Sequence, residues 1–267
     1  MKKKQTLIRL RAAKPNAGIR AEYQRRLLAI LKAIADDVLG QIKAAYAEEA
    51  PRIAQDASPA SKLAQMMNDL RKRWERPFND EAESTADWFS SKASANATRA
   101  QKAAMESAGL GDFAVRYDFG NARADTVQAI AKENVSLIKT IGSEYFDRIE
   151  NSVLRAVTQG RDLNGLAQEL DRQYAISARR AALIARDQNN KATEAIARSN
   201  DLAAGVTKGE WIHVPGRKSS RASHKAMHGK IFDLAEGLYD SDEGRKVKPA
   251  ELIACNCTYR PIFDFTA

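Results

Sequence analysis

The chain has 267 residues, 44% of them apolar, and a net charge of +9. That length supports one large domain or two modest ones around a real core. Its two cysteines, Cys255 and Cys257, exclude a disulfide framework, and a bridge between them would be strained.

Arginines interrupt the apolar stretch that follows the basic start, so no export signal is expected. No apolar run is long enough to span a bilayer. The expectation is a protein outside the membrane, made in a reducing cytoplasm.

The excess charge has a location. Residues 1–32 hold ten basic side chains and one acid, a net +9, which leaves the remainder neutral. Residues 1–22 are expected to form a basic arm in which Lys2, Lys3, Lys4, Arg9, Arg11 and Lys14 attract DNA or an acidic protein surface without reading sequence. A solvated terminus that only aids solubility explains the same charges.

A helical domain is expected over residues 23–157. Tyr23, Leu27, Ile30, Leu31, Ile34 and Val38 make one apolar stripe at helical spacing. A second helix around Leu63, Met66, Met67, Leu70 and Trp74 is expected to stop before Pro77, and a third to run from Asp80 to about Ser107. Phe113–Phe119 alternates like a short strand or hinge. Val127, Ile130, Asn134, Leu137, Ile141, Tyr145, Ile149 and Val153 then trace a long helix reaching Gly160, suited to bundle packing or to self-association.

Residues 158–267 form the last expected unit. Asp162 is a candidate cap for a helix through Leu163, Leu166 and Leu170, and Ser177 for another to about Ala204, stopped by Gly205. Gly209–Pro215 reads as a strand, followed by a basic loop over Arg217–Arg221. A short helix carries His224 and His228 to Gly229, and Lys230–Phe232 is a strand. Residues 235–248 read as a polar loop and Leu252–Phe263 as an extended piece. The fold class is therefore α+β and predominantly helical, with an elongated helical N-terminal region before a small C-terminal α+β domain.

All three histidines and both cysteines lie in that last unit: His213, His224, His228, Cys255 and Cys257. On a helix, His224 and His228 at i,i+4 face one way, as do Cys255 and Cys257 at i,i+2 in extended chain. Two imidazoles and two thiolates suit a tetrahedral structural Zn²⁺ site. A buried thiol pair beside two surface histidines accounts for the same residues.

A catalytic metal fits less well, because Lys225 stands where a His-Glu-x-x-His protease has its base. Phosphate-binding and serine-hydrolase motifs are absent from the sequence. The enzymatic alternative is metal-free nucleic-acid cleavage by the histidines with Arg217, Arg221 and Lys225 as a phosphate clamp.

The ordered set Ile184-Ala185-Arg186-Asp187, Gly205-Val206, Trp211, His224 and His228-Gly229, Cys255-x-Cys257 and Pro261 resembles the phage Mu F-like head morphogenesis family over about residues 158–267. This chain has Arg186-Asp187-Gln188 where the family typically shows Arg-Thr-Glu. The resemblance implies a minor head protein, present in few copies, that acts with the portal and other capsid proteins in procapsid or virion, and it implies no catalytic residue.

Overall fold

The computed structural model describes residues 7–48, 58–111, 120–159, 163–216 and 220–264. The hinge expected at Phe113–Phe119, the Asp162 cap, Lys2, Lys3, Lys4 and residues 217–219 of the basic loop lie outside the described residues. Four long helices come first: α1 (Ala17–Glu48), α2 (Ser58–Ser107), α3 (Gly120–Gln159) and α4 (Leu163–Ala203). Strand β1 (Leu7–Arg9) precedes them; β2 (Lys208–Ile212), α5 (Ala222–Met227), β3 (Ile231–Asp233), β4 (Leu238–Asp240), β5 (Arg245–Val247) and β6 (Thr258–Asp264) follow. The α+β, predominantly helical class is as the sequence indicates.

The chain divides into two compact units, each drawn from separate stretches. One comprises residues 21–87 and 132–184; the other comprises residues 1–20, 88–131 and 185–267.

In the first unit, the α1 stripe of Tyr23, Leu27, Leu31, Ile34, Val38 and Ile42 is almost wholly buried. Each such side chain stabilises the fold by about 1.5–3 kcal/mol relative to exposure. Asn134, which falls in the apolar stripe of α3, is 0% exposed and accepts a 2.7 Å hydrogen bond from the Tyr23 hydroxyl. A buried amide needs such a partner.

Two expected helix breaks do not occur. Pro77 lies inside α2, although its ring removes one intrahelical hydrogen bond. Leu63, Met67 and Leu70 before it and Phe78, Ala82 and Ala86 after it remain on one buried stripe, so burial outweighs the missing bond. Ser177 likewise sits inside α4 and is buried, because no Gly or Pro interrupts residues 166–184 and Leu166, Leu170, Ala181 and Ile184 keep the helical phase across it.

In the second unit, α1 begins earlier than its apolar stripe suggests. The Asn16 side chain accepts hydrogen bonds from the Gly18 and Ile19 amides at 2.8 and 3.2 Å, capping the helix. Four strands make an antiparallel sheet in the order β1-β6-β2-β3. Strand β1 takes up part of the segment expected to be a basic arm: Leu7, Ile8 and Arg9 pair with Asp264, Phe263 and Ile262. Residues 235–248, expected to be a loop, contain the β4–β5 hairpin, in which Leu238 pairs with Val247. Short strands with polar outer positions carry too little periodicity to be read from sequence. Val247 is nevertheless buried in a core with Leu10, Met105, Trp211, Phe232, Leu234 and Tyr259.

Within the first unit, an ideal Cβ on Gly142 would lie 2.4 Å from the Phe78 ring. Gly142→Ala should therefore destabilise the protein by about 1–3 kcal/mol, the usual cost of overpacking. A lower midpoint in urea unfolding at unchanged slope checks this.

Candidate metal centre

The strand-rich part of the second unit brings His224, Cys255 and Cys257 together. His224 lies in α5, whose last residue is Met227, and the cysteines lie just before β6. The His224 Nδ1 is 3.4 Å from Cys255 Sγ and 3.6 Å from Cys257 Sγ. All three ligand atoms lie within 4.8 Å of one another, and all three residues are buried.

The other ring nitrogen of His224 is held by Asp240, whose Oδ2 is 3.0 Å from Nε2. Asp240 is 0% exposed, at the end of β4. An ionised carboxylate there favours the tautomer with hydrogen on Nε2, which turns the Nδ1 lone pair to the sulfurs. Trp211 packs edge-on against the imidazole, with ring centroids 5.4 Å apart.

The loop carrying the cysteines is fixed from α4. Asp187 Oδ1 accepts the Ala254 amide at 2.6 Å, and the Asn190 side-chain NH₂ donates to Asn256 Oδ1 at 2.8 Å. Ala254 has a φ of 59°, in the left-handed region that a β-carbon disfavours. The hydrogen bond to its amide helps to hold that conformation.

Charge at the cluster is tightly coupled. Cys255 is driven well below the usual thiol range by a hydrogen bond from Cys257 and then by His224, while the same hydrogen bond and burial push Cys257 up. His224 is raised above its ordinary value, first by Cys255 and also by Asp240, with burial opposing. Burial pushes Asp240 up, but the Asp242 amide and His224 outweigh it and hold the carboxyl below its ordinary value.

His228 is placed differently from the expected i,i+4 pair. It falls beyond α5 with φ −53° and ψ 129°, and its Nδ1 accepts the His213 amide at 3.1 Å. Gly229, at φ 80°, ends the turn one residue later, so the helix is too short to set both rings on one face. The metal set expected from the sequence therefore divides: the structure brings together His224, Cys255 and Cys257, and not His228.

His213 meets one member of the cluster, its Nδ1 lying 3.6 Å from Cys257 Sγ. His213 directly follows β2, and its position is visible only once that strand is seated beside β6. Asp240 had no signal at all in a polar stretch rich in acids.

Of the basic residues, Arg9 pairs with Glu210 at 3.0 Å, and Arg11 and Lys14 are exposed. A surface pair of this kind contributes about 0–1 kcal/mol. A histidine acting on a polymer needs an accessible ring; His224 is 2% exposed, while His228 is exposed.

The fold and the site define a predominantly helical α+β protein with a buried His-Cys-Cys cluster in its strand-rich C-terminal region. Residues 147–260, from the end of α3 through α4 and most of the strand-rich region, match the family described as Phage Mu protein F like protein. A Haemophilus influenzae protein described as uncharacterized is 30% identical over 140 residues, or 52% of this chain and 30% of that protein. The alignment thus spans under a third of that relative's length. No solved structure matches the chain.

Behind the sheet, Glu194 and Asp201 are buried acids on α4. Asp201 accepts hydrogen bonds from the Tyr259 hydroxyl at 2.7 Å and from Gln101 at 2.8 Å, yet burial outweighs them and pushes it up to about 7. Burial also pushes Glu194 up to about 8, against the Thr258 hydroxyl beside it and the Arg198 charge. Neither Glu194 oxygen reaches hydrogen-bonding geometry with a partner among the described residues.

Acids raised in the folded state bind protons more tightly there than in the unfolded chain. Their stabilisation is complete below the unfolded values, near pH 4, and is lost as pH rises through about 7 to 8. Melting temperature should fall across that window, and Glu194→Gln should flatten the profile. A variant profile as steep as the parent's would count against Glu194 as the source.

Proposed function

We propose that the protein acts in phage head morphogenesis as a minor head component, working with capsid proteins at the portal or head interior during procapsid assembly. The observation that carries this reading is the Phage Mu protein F like match over residues 147–260. The long helices supply extended surface for protein partners, and no described helix is long and apolar enough to cross a membrane. The excess charge within residues 1–32 supports contact of that segment with packaged DNA or an acidic capsid surface.

Immunodetection in purified procapsids and mature heads, made by a strain carrying the gene, tests the role. The protein should sediment with one or both particles at low copy, and absence from both would sink the proposal. Deleting residues 2–14 would also remove β1 and the Leu10 that follows it, and Ile8 and Leu10 pack with the C-terminal core, so charge substitution is the cleaner probe of the terminus. Lys2, Lys3 and Lys4 changed together to Gln should weaken DNA binding and reduce the slope of log K against log salt by about 0.9 for each duplex phosphate that is no longer neutralised. An unchanged slope would remove these lysines from the interface.

A further inference from the structure

We propose that His213, His224, Cys255 and Cys257 form a closed tetrahedral site for one Zn²⁺, with Asp240 as its outer-shell partner and His228 outside the ligand set. The distances make the case. Zinc bonds of about 2.3 Å to sulfur and 2.0–2.1 Å to nitrogen, at tetrahedral angles, put ligand nitrogen and sulfur about 3.6 Å apart.

The separations here are 3.4 and 3.6 Å from His224 Nδ1 to the two sulfurs and 3.6 Å from His213 Nδ1 to Cys257 Sγ. Three edges therefore match a tetrahedron in length: His224, Cys255 and Cys257 are already gathered within 4.8 Å of one another, and His213 joins through Cys257 and closes on the ion when it binds. An isolated thiol–imidazole hydrogen bond accounts for one such approach at a given nitrogen, and His224 Nδ1 makes two.

The surroundings have the organisation of a thiolate metal site. Asp240 on Nε2 reproduces the carboxylate–histidine–metal arrangement that orients a ligating ring and raises its basicity. The backbone amides of Cys257 and Val214 lie where they donate to Cys255 Sγ and Cys257 Sγ, the kind of donor that a metal-bound thiolate accepts. Asp187 and Asn190 hold the cysteine loop from α4. Two imidazoles and two thiolates match a borderline-soft tetrahedral cation better than Mg²⁺ or Ca²⁺, which take oxygen.

Four protein ligands leave no open position, so the site ties β2, α5 and the approach to β6 together and is structural in kind. On binding, the cation takes two S⁻ and two neutral nitrogens, and the displaced thiol and imidazole protons pass to solvent. His228 positions the strand end by accepting the His213 amide.

The test uses the full chain, purified without a histidine tag, with Zn²⁺ as probe. Elemental analysis should give one zinc per chain, and Cys255→Ser with Cys257→Ser should lose it. Competition with a chromophoric chelator separates the histidines. His213→Ala should weaken zinc binding by more than 10-fold, Asp240→Asn by about 10- to 100-fold, and His228→Ala by less.

Chelator-stripped parent protein reloaded with Co²⁺ should show thiolate charge-transfer absorption and the strong visible bands of a tetrahedral ion, a readout that needs no variant to fold. A parent without stoichiometric zinc, or without those cobalt bands, would overturn the site. Loss of zinc in His228→Ala with retention in His213→Ala would overturn the ligand set. These outcomes are independent of whether the protein enters phage heads.

Discussion

The contact between Asp240 and His224 sets the orientation of the ring on which the cluster is built. A carboxylate with no solvent access, 3.0 Å from Nε2, holds the ring so that Nδ1 faces Cys255 and Cys257. An uncompensated charge at that depth would be costly, so the carboxylate, the imidazole and the thiols form a set whose members stabilise one another. The same contact ties α5 to β4, and the hairpin it anchors supplies Val247 to the core around Trp211 and Tyr259.

Around that contact the second unit meets two different polar demands. At the cluster, every buried titratable group has a partner of complementary character. On α4, by contrast, Glu194 and Asp201 are buried where their charged forms are poorly compensated, and both are pushed toward their neutral forms near neutral pH. The carboxyl of Asp240 beside His224 is thus held below its ordinary value, while Glu194 and Asp201 behind β6 are pushed above theirs. Tyr259 connects the two regions, its ring in the core and its hydroxyl on Asp201.

The sequence carries the helices better than their ends. The stripes of Tyr23–Val38 and Val127–Val153 are helical as expected, because a face repeating every three or four residues is a local property. Pro77 and Ser177 fail as boundaries because the side chains before and after them share one buried stripe, a property of packing that single residues do not display. Asn134 is similar: in the stripe it is an anomaly, and its meaning appears only with the Tyr23 hydroxyl above it.

By itself, the sequence determined the predominantly helical α+β class, the C-terminal location of every histidine and cysteine, and the ordered Trp, His, Gly and Cys-x-Cys pattern of the phage Mu F-like part. These follow from residue type and local spacing. Tertiary structure alone decided that His224 and not His228 stands with both cysteines, because α5 ends at Met227 and turns His228 away, and that the β2–β6 pairing sets His213 beside Cys257. It also decided that Leu7–Arg9 form a strand and that Asp240 holds His224. Pairings between residues this far apart in the chain depend on strand register, which no local pattern encodes.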